Sequence, residues 1–221
     1  FLSNQDYQRF YSGFLELFAR SLKKAGLTAP SDLHPQHYHQ LIGDDYEAHL
    51  SVVEQTKLYD ADEFPIRMDI VEDRVSELLG VKVKSIKPFN QERVFHLRVI
   101  RPGAHDYNPL HRDVWQDENR GAVNIYVPLC GSNERSSLLL APSSHLWPEK
   151  EVERTIEGAR MNGIRFNVPG LVAAKKELNL VRPNPGENEM LLFTPYTIHG
   201  LSANENKDVT RISLEMRFWR A

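Results

Sequence analysis

The sequence predicts a mainly β fold, a sandwich or jelly roll, backed by helices at its N-terminal end. Three observations predict it. Apolar residues recur at helical spacing through the first third of the chain, and from Val81 onward the apolar period becomes two. The strands of period two carry His, Asn, Tyr, Arg and Ser on their polar faces, which suits a ligand cavity between two sheets better than a face turned to water.

Size and composition agree with one domain spanning 1–221. The 221 residues, 41% hydrophobic and 26% charged, are enough to build a sizeable core. The longest apolar runs, such as "SLLLA" at 137–141, fall far short of the ~20 residues a membrane helix needs, so a soluble protein is expected. A formal net charge of −3 without long like-charge blocks speaks against a nucleic-acid or membrane partner and leaves a small-molecule substrate. Cys130 is the one cysteine, which excludes an intrachain disulfide and a cysteine-rich zinc site and points to a cytoplasmic setting. Oligomeric state has no signature in the sequence.

In chain order, Tyr7, Phe10, Phe14, Leu17, Phe18 and Leu22 share one face of a first helix. Ser3 and Asp6 form its capping box, and Gly26 and Pro30 end it. A second helical stretch is expected over much of Pro35–Tyr59. A third should start near Asp62 with Pro65 in its first turn, carry Ile66, Ile70, Leu78 and Leu79, and stop at Gly80. Residues 1–80 thus read as a helical support and 81–221 as the β core. In "VFHLRVI" (94–100), Phe95, Leu97 and Val99 oppose His96 and Arg98. In "AVNIYVPL" (122–129), Val123, Ile125 and Val127 oppose Asn124 and Tyr126. "TRISLEMRFW" (210–219) repeats the pattern with Ile212, Leu214, Met216 and Phe218 against Arg211, Ser213, Glu215 and Arg217. The stretch at about 147–187 breaks this rhythm with many Gly and Pro residues, and its length reads as a lid or substrate-covering insertion.

The chemistry is concentrated in "NPLHRDVW" (108–115). On an extended chain residues i and i+2 project to one face, so His111 and Asp113 can offer a nitrogen and an oxygen to one point. His199, at the end of an apolar strand, is the candidate third ligand. A hairpin centred near Glu205 would set His199 opposite Arg211 and Thr197 opposite Ser213, with opposed Cβ atoms about 5 Å apart. Two His and one carboxylate on a β scaffold leave open coordination positions, the arrangement of non-haem Fe(II) oxygenases. A guanidinium inside a β core is costly unless an anion satisfies it, and its fork suits a carboxylate, so a co-substrate that chelates iron and carries a distal carboxylate would fit.

From about Arg98 to its C-terminus the chain resembles the Fe(II)/2-oxoglutarate-dependent dioxygenases, and more narrowly the phytanoyl-CoA dioxygenase-like group. The matching pieces are "HRD" (111–113), "VPLCGSNERSSLLLAPSSH" (127–145), "TIHG" (197–200) and "TRIS" (210–213). "PSSH" at 142–145 departs from the group's usual Pro-Gly-Ser-His, with Ser143 in place of glycine. The resemblance implies a double-stranded β-helix of the cupin-like kind. It implies Fe(II) on His111, Asp113 and His199, and the distal carboxylate of 2-oxoglutarate on Arg211 and Ser213, with Asn124 a weaker candidate for the other end of the co-substrate. It further implies O2 as oxidant, release of succinate and CO2, and hydroxylation of the substrate.

His96, Arg98, Tyr107, Trp115 and Arg217 are the candidate substrate residues, with Asn108 and, from the insertion, Arg160 or Arg165. Their polar and cationic character points to a small polar or anionic metabolite. His145 reads as a local structural residue, the cluster "HPQHYH" (34–39) as a solvated helix, and Cys130 as a small buried side chain. Two alternatives stand beside the oxygenase reading. Arg211 and Arg217 form R-x5-R, which also resembles the nucleic-acid dealkylating branch of the same superfamily, and a metal- or ligand-binding β-barrel without turnover would need the same ligands.

Overall fold

The structure, a computed structural model, describes every residue except Leu33, Leu58, His105 and Asn162. Helix α1 (Asn4–Lys24) buries Tyr7, Phe10, Phe14, Leu17, Phe18 and Leu22, the stripe expected from spacing. Of the expected capping box, the Ser3 hydroxyl accepts the Asp6 N–H at 3.1 Å and donates to the Asp6 carboxylate at 2.7 Å. The expected second helix is instead a 3-10 turn followed by α2 (Tyr38–Ile42) and α3 (Tyr46–Thr56). Gly43, at φ +56°, ends α2, and the Asp45 carboxylate accepts the Ala48 N–H to start α3 afresh.

After the short strand β1 (Tyr59–Asp60), the third helix also begins later than expected. Phe64 precedes a proline and is held extended at φ −62°, ψ 137°, so the turn at 61–63 stands alone and α4 runs over Met68–Leu79. Its buried face is Met68, Val71, Glu72 and Val75, whereas Leu78 and Leu79 are exposed. Gly80 ends it in the left-handed region, as expected.

The strands that follow are β2 (Val83–Lys84), β3 (Val94–Ile100), β4 (Ala122–Cys130), β5 (Val152–Arg154), β6 (Ala159–Met161), β7 (Ile164–Phe166), β8 (Leu171–Ala174), β9 (Leu191–Phe193) and β10 (Arg211–Arg220). The large sheet is antiparallel in the order β1-β3-β10-β4-β9, with β2 beside the far end of β10. Its apolar face, with Phe95, Leu97, Val99, Ile125, Leu214, Met216 and Phe218, packs with the helices into one core. Phe95 stacks on Tyr59 at 5.1 Å and meets Phe64 edge-on at 5.0 Å, joining sheet to helical layer.

The polar face looks toward a second, less regular layer. There Leu140 bridges to Val181 and His199, His199 bridges to His111, the Leu171 N–H donates to the Leu110 carbonyl, and β8 pairs with β5. Val114, Trp115, Ala141, Val152 and Ile198 form its apolar cluster. Much of the 147–187 stretch is thus part of this layer, since β5 and β8 extend it, while β6 and β7 form a separate hairpin. Among the described residues no helix is long and apolar enough to cross a membrane.

The expected hairpin around Glu205 does not form. Strand β10 inserts between β3 and β4, so Arg211 lies opposite Ile100 and Ser213 opposite Arg98, while His199 belongs to the other layer. Gly200 (φ +127°) and Leu201 (φ +46°) turn the chain away, and the Asn204 amide holds the crossover by donating to the Ile100 and Val209 carbonyls.

Candidate metal centre and its cavity

His111 and His199 are brought together by backbone pairing. Each donates its N–H to the other's carbonyl, at 2.9 and 3.0 Å, and the imidazole centroids lie 4.4 Å apart. Nδ1 of His111 is 2.7 Å from the Pro109 carbonyl and Nδ1 of His199 is 3.0 Å from the Thr197 carbonyl. A carbonyl can only accept, so both Nδ1 atoms carry a hydrogen, and in the neutral imidazole this tautomer leaves the lone pair on Nε2. Gly200 is required here, because a Cβ at that position would stand 2.3 Å from the Pro109 oxygen that orients His111.

Asp113 completes the group, although from the first residue of a 3-10 turn (113–115) rather than from an extended strand. Its Oδ1 is 3.4 Å from His111 Nε2 and its Oδ2 is 3.8 Å from His199 Nε2. All three residues are buried, and their ligand atoms lie within 4.8 Å of one another. Burial opposes charge on Asp113, but Arg217, His199 and His111 hold its pKa well below the usual carboxylate range. Burial, with His111 beside it, lowers the His199 pKa to about 4, so that imidazole is neutral at pH 7. An ionised oxygen and two nitrogen lone pairs converging on one point form a donor set suited to a divalent transition metal.

Asp113 Oδ2 also accepts from Asn124 Nδ2 at 2.7 Å and lies 3.0 Å from Arg217 Nη2. These residues face each other across β4 and β10, so one sheet row grips one carboxylate oxygen and leaves Oδ1 toward His111. Their expected partners were the co-substrate and the substrate; here both hold a candidate metal ligand. A residue that sequence reasoning missed, Arg112, braces the loop from behind. It is 1% exposed and donates to the Ser144 and Trp147 carbonyls at 2.6 and 3.2 Å and to Glu149 at 3.2 Å.

The group opens onto a cavity of about 300 Å3 between the two layers, whose walls include His96, Arg98, Tyr107, Asn108, Arg211 and Arg217. Arg211 is 1% exposed, donates from Nη1 to the Ser136 carbonyl at 3.0 Å, and sits 5.9 Å from the centre of the Tyr126 ring. Burial lowers its pKa. Its Nε, the Ser213 hydroxyl and the Asn124 Oδ1 are buried with no hydrogen-bond partner among the described residues. Such orphaned atoms are costly, and those of Arg211 and Asn124, which line the cavity, mark where a polar ligand fits.

Glu215 was also missed as a site residue. It lines the cavity and pairs with Arg98, Nη2 to Oε2 at 3.0 Å, with both its oxygens 3.2 Å from Arg98 Nε. Burial would raise its pKa, but Arg98 brings it down to about 2. The alternation in "TRISLEMRFW" set Glu215 on the same face as Arg211 and Arg217, so the signal was there.

Other expectations fall away from the cavity. Trp115 packs in the apolar cluster of the second layer, with the Arg154 guanidinium 5.6 Å from its ring. Arg160 and Arg165 are exposed and face each other on the β6-β7 hairpin. His145 is exposed beside Ser143, which adopts φ +62°, the left-handed conformation for which glycine is suited. His39 meets Thr210 Oγ1 at 3.0 Å, and among the described residues the 34–39 histidines form no metal-ligating group. Cys130 is half-buried, its thiol pushed up to about 12 by burial.

No family model and no curated protein sequence matches the chain. Solved structures do match in fold. AviO1 from Streptomyces viridochromogenes Tue57 is 15% identical, with 99% of this chain and 86% of that one covered at a TM-score of 0.52. EvdO2 from Micromonospora carbonacea var. aurantiaca, complexed with 2-oxoglutarate, is 14% identical over 100% of this chain and 92% of that one at 0.50. The non-heme monooxygenase ThoJ, in its apo form, is 13% identical over 93% and 70% at 0.50. The chain therefore has the fold of these proteins.

Proposed function

We propose that the protein is an Fe(II)- and 2-oxoglutarate-dependent dioxygenase that hydroxylates a small polar or anionic metabolite. In this reading the two layers are those of a double-stranded β-helix, as in the phytanoyl-CoA dioxygenase-like group. His111, Asp113 and His199 hold the iron, and Arg211 with Ser213 holds the distal carboxylate of the co-substrate. Iron with 2-oxoglutarate and O2 supplies oxidative decarboxylation, to succinate and CO2, and the oxidation of a substrate C–H bond. The chain's own part is to orient and to exclude water. The Pro109 and Thr197 carbonyls fix both imidazole tautomers, Asn124 and Arg217 fix the carboxylate, and the second-layer cluster around Ile198 keeps the ligands dry.

The observation that carries this reading is the convergence on one cavity of three metal-ligating atoms and a buried guanidinium whose Nε lacks a partner. The test is an anaerobic titration of the Fe(II)-loaded protein with 2-oxoglutarate, followed by the visible charge-transfer band of the chelate. The band should saturate in the wild type, vanish in His199→Ala, and need far more 2-oxoglutarate in Arg211→Ala. Bound metal with no band would overturn the reading.

A further inference from the structure

The cavity's charges narrow the choice of substrate. Four cationic side chains line it, Lys87, Arg98, Arg211 and Arg217, against the three carboxylates of Asp113, Glu118 and Glu215. A divalent iron and a dianionic co-substrate bring charges that cancel, so the side chains lining the loaded cavity still count one more cation than carboxylate. Three of the cations are committed. Lys87 lies 3.1 Å from Glu118 and 3.3 Å from Glu92, Arg98 grips Glu215 through Nε and Nη2, and Arg211 is enclosed at the end assigned to the co-substrate.

Arg217 is different. Its side chain is 31% exposed, and the edge formed by Nε and Nη2 rests on Asp113 Oδ2 at 3.4 and 3.0 Å. Its Nη1 makes no hydrogen bond or ion pair among the described residues. A guanidinium can use two edges at once, so one edge can brace Asp113 while Nη1 stays available in the cavity.

We propose that Arg217 anchors the substrate, and that the substrate is a small molecule bearing a single carboxylate docked on its Nη1 side; the inference rests on the iron and 2-oxoglutarate reading. Arg98, Glu215 and the neutral His96, which lies opposite Glu215 in the sheet, offer donors and acceptors to hydroxyl or amino groups on the same molecule. The cavity of about 300 Å3 is at the small end of ligand sites, roughly 300–1,000 Å3, and must also admit the co-substrate, which disfavours a long acyl chain. Because the same guanidinium braces Asp113, an anion on Nη1 pulls against the Oδ2 contact, and the metal's surroundings register the substrate's charge.

The test uses the anaerobic Fe(II)/2-oxoglutarate complex, with butyrate and 3-hydroxybutyrate as probes and their primary amides as neutral matches. The carboxylates should shift the charge-transfer band saturably and the amides should not. Arg217→Lys, which keeps a cation beside Asp113, should form the band but need at least tenfold more carboxylate for half-saturation, while Arg160→Gln, on the exposed β6-β7 hairpin, should respond as the wild type does. Equal responses to acids and amides, an unchanged response in Arg217→Lys, or a normal band that no carboxylate moves would each overturn the anchor. So would loss of band amplitude without a shift, which places the carboxylates on Arg211. Failure of the band to form in the wild type would instead overturn the iron and 2-oxoglutarate reading beneath it.

Discussion

Replacing Arg211 by methionine should make the ligand-free protein more stable while destroying the co-substrate site proposed for it. A buried ion costs several kcal/mol even after relaxation. Against that cost Arg211 has, among the described residues, one hydrogen bond, to the Ser136 carbonyl, and the Tyr126 ring at 5.9 Å. Those are worth roughly 1.5–3 kcal/mol for a charged hydrogen bond and about 0.5–2 kcal/mol for the ring. The carboxylate on the same strand, Glu215, is already taken by Arg98. Exchanging a poorly compensated buried ion for an apolar side chain of similar volume typically gains 1–4 kcal/mol, and leaving the Ser136 carbonyl unpaired takes back part of it, so a net gain of ~1–3 kcal/mol is expected. At this chain length each kcal/mol moves Tm by about 2–4 °C, which gives a rise of roughly 2–12 °C. Thermal unfolding followed by circular dichroism, without metal or 2-oxoglutarate, measures it. Repeating the scan with Mn(II) and saturating 2-oxoglutarate completes the assay: a hundredfold excess over Kd should stabilise the wild type by about 2.7 kcal/mol, and Arg211→Met should gain little of it. A lower Tm for ligand-free Arg211→Met would refute the reasoning, since the guanidinium would then be satisfied within the fold.

Gly200→Ala should weaken metal binding about 10–100-fold in a competitive chelator titration, because the added Cβ displaces the Pro109 oxygen that orients His111. Glu215→Gln should cost on the order of 3 kcal/mol at pH 7, from a carboxyl pKa brought from 4.5 to about 2 in the fold. The pKa is lowered by folding, so that contribution is complete above pH 4.5 and is lost as pH falls toward 2; urea unfolding of both proteins across this window should show their difference shrinking with acidity. Ser143→Gly should stabilise by roughly 0.5–1 kcal/mol in the same assay, since it relieves a left-handed backbone at φ +62°.

What could be read from the sequence was what is local in the chain. The face of α1 and the bounds of β3 follow from periodicity, because each is set by which of a residue's near neighbours share its side. The HxD pair and His199 were legible as residue types, and they meet as expected. The pairing of His199 was not, because register between distant segments depends on the layers: the apolar face of β10 belongs to the helical core, which draws the strand between β3 and β4 and away from a local hairpin. For the same reason the grip of Asn124 and Arg217 on Asp113 joins residues that share no local pattern. The late start of α4 had a local signal in the Phe64-Pro65 step, which was outweighed by the expectation that proline opens a helix.

The most direct test of the central claim, that the His-Asp-His group and Arg211 bind the two ends of one co-substrate, is calorimetric titration of 2-oxoglutarate into the protein with and without Mn(II) as an oxygen-stable stand-in for Fe(II). The account predicts that the metal tightens binding at least tenfold and that Arg211→Met weakens it in the metal-loaded protein. Equal affinity with and without the metal would contradict it, because the co-substrate would then be binding at Arg211 without reaching the His111, Asp113 and His199 group.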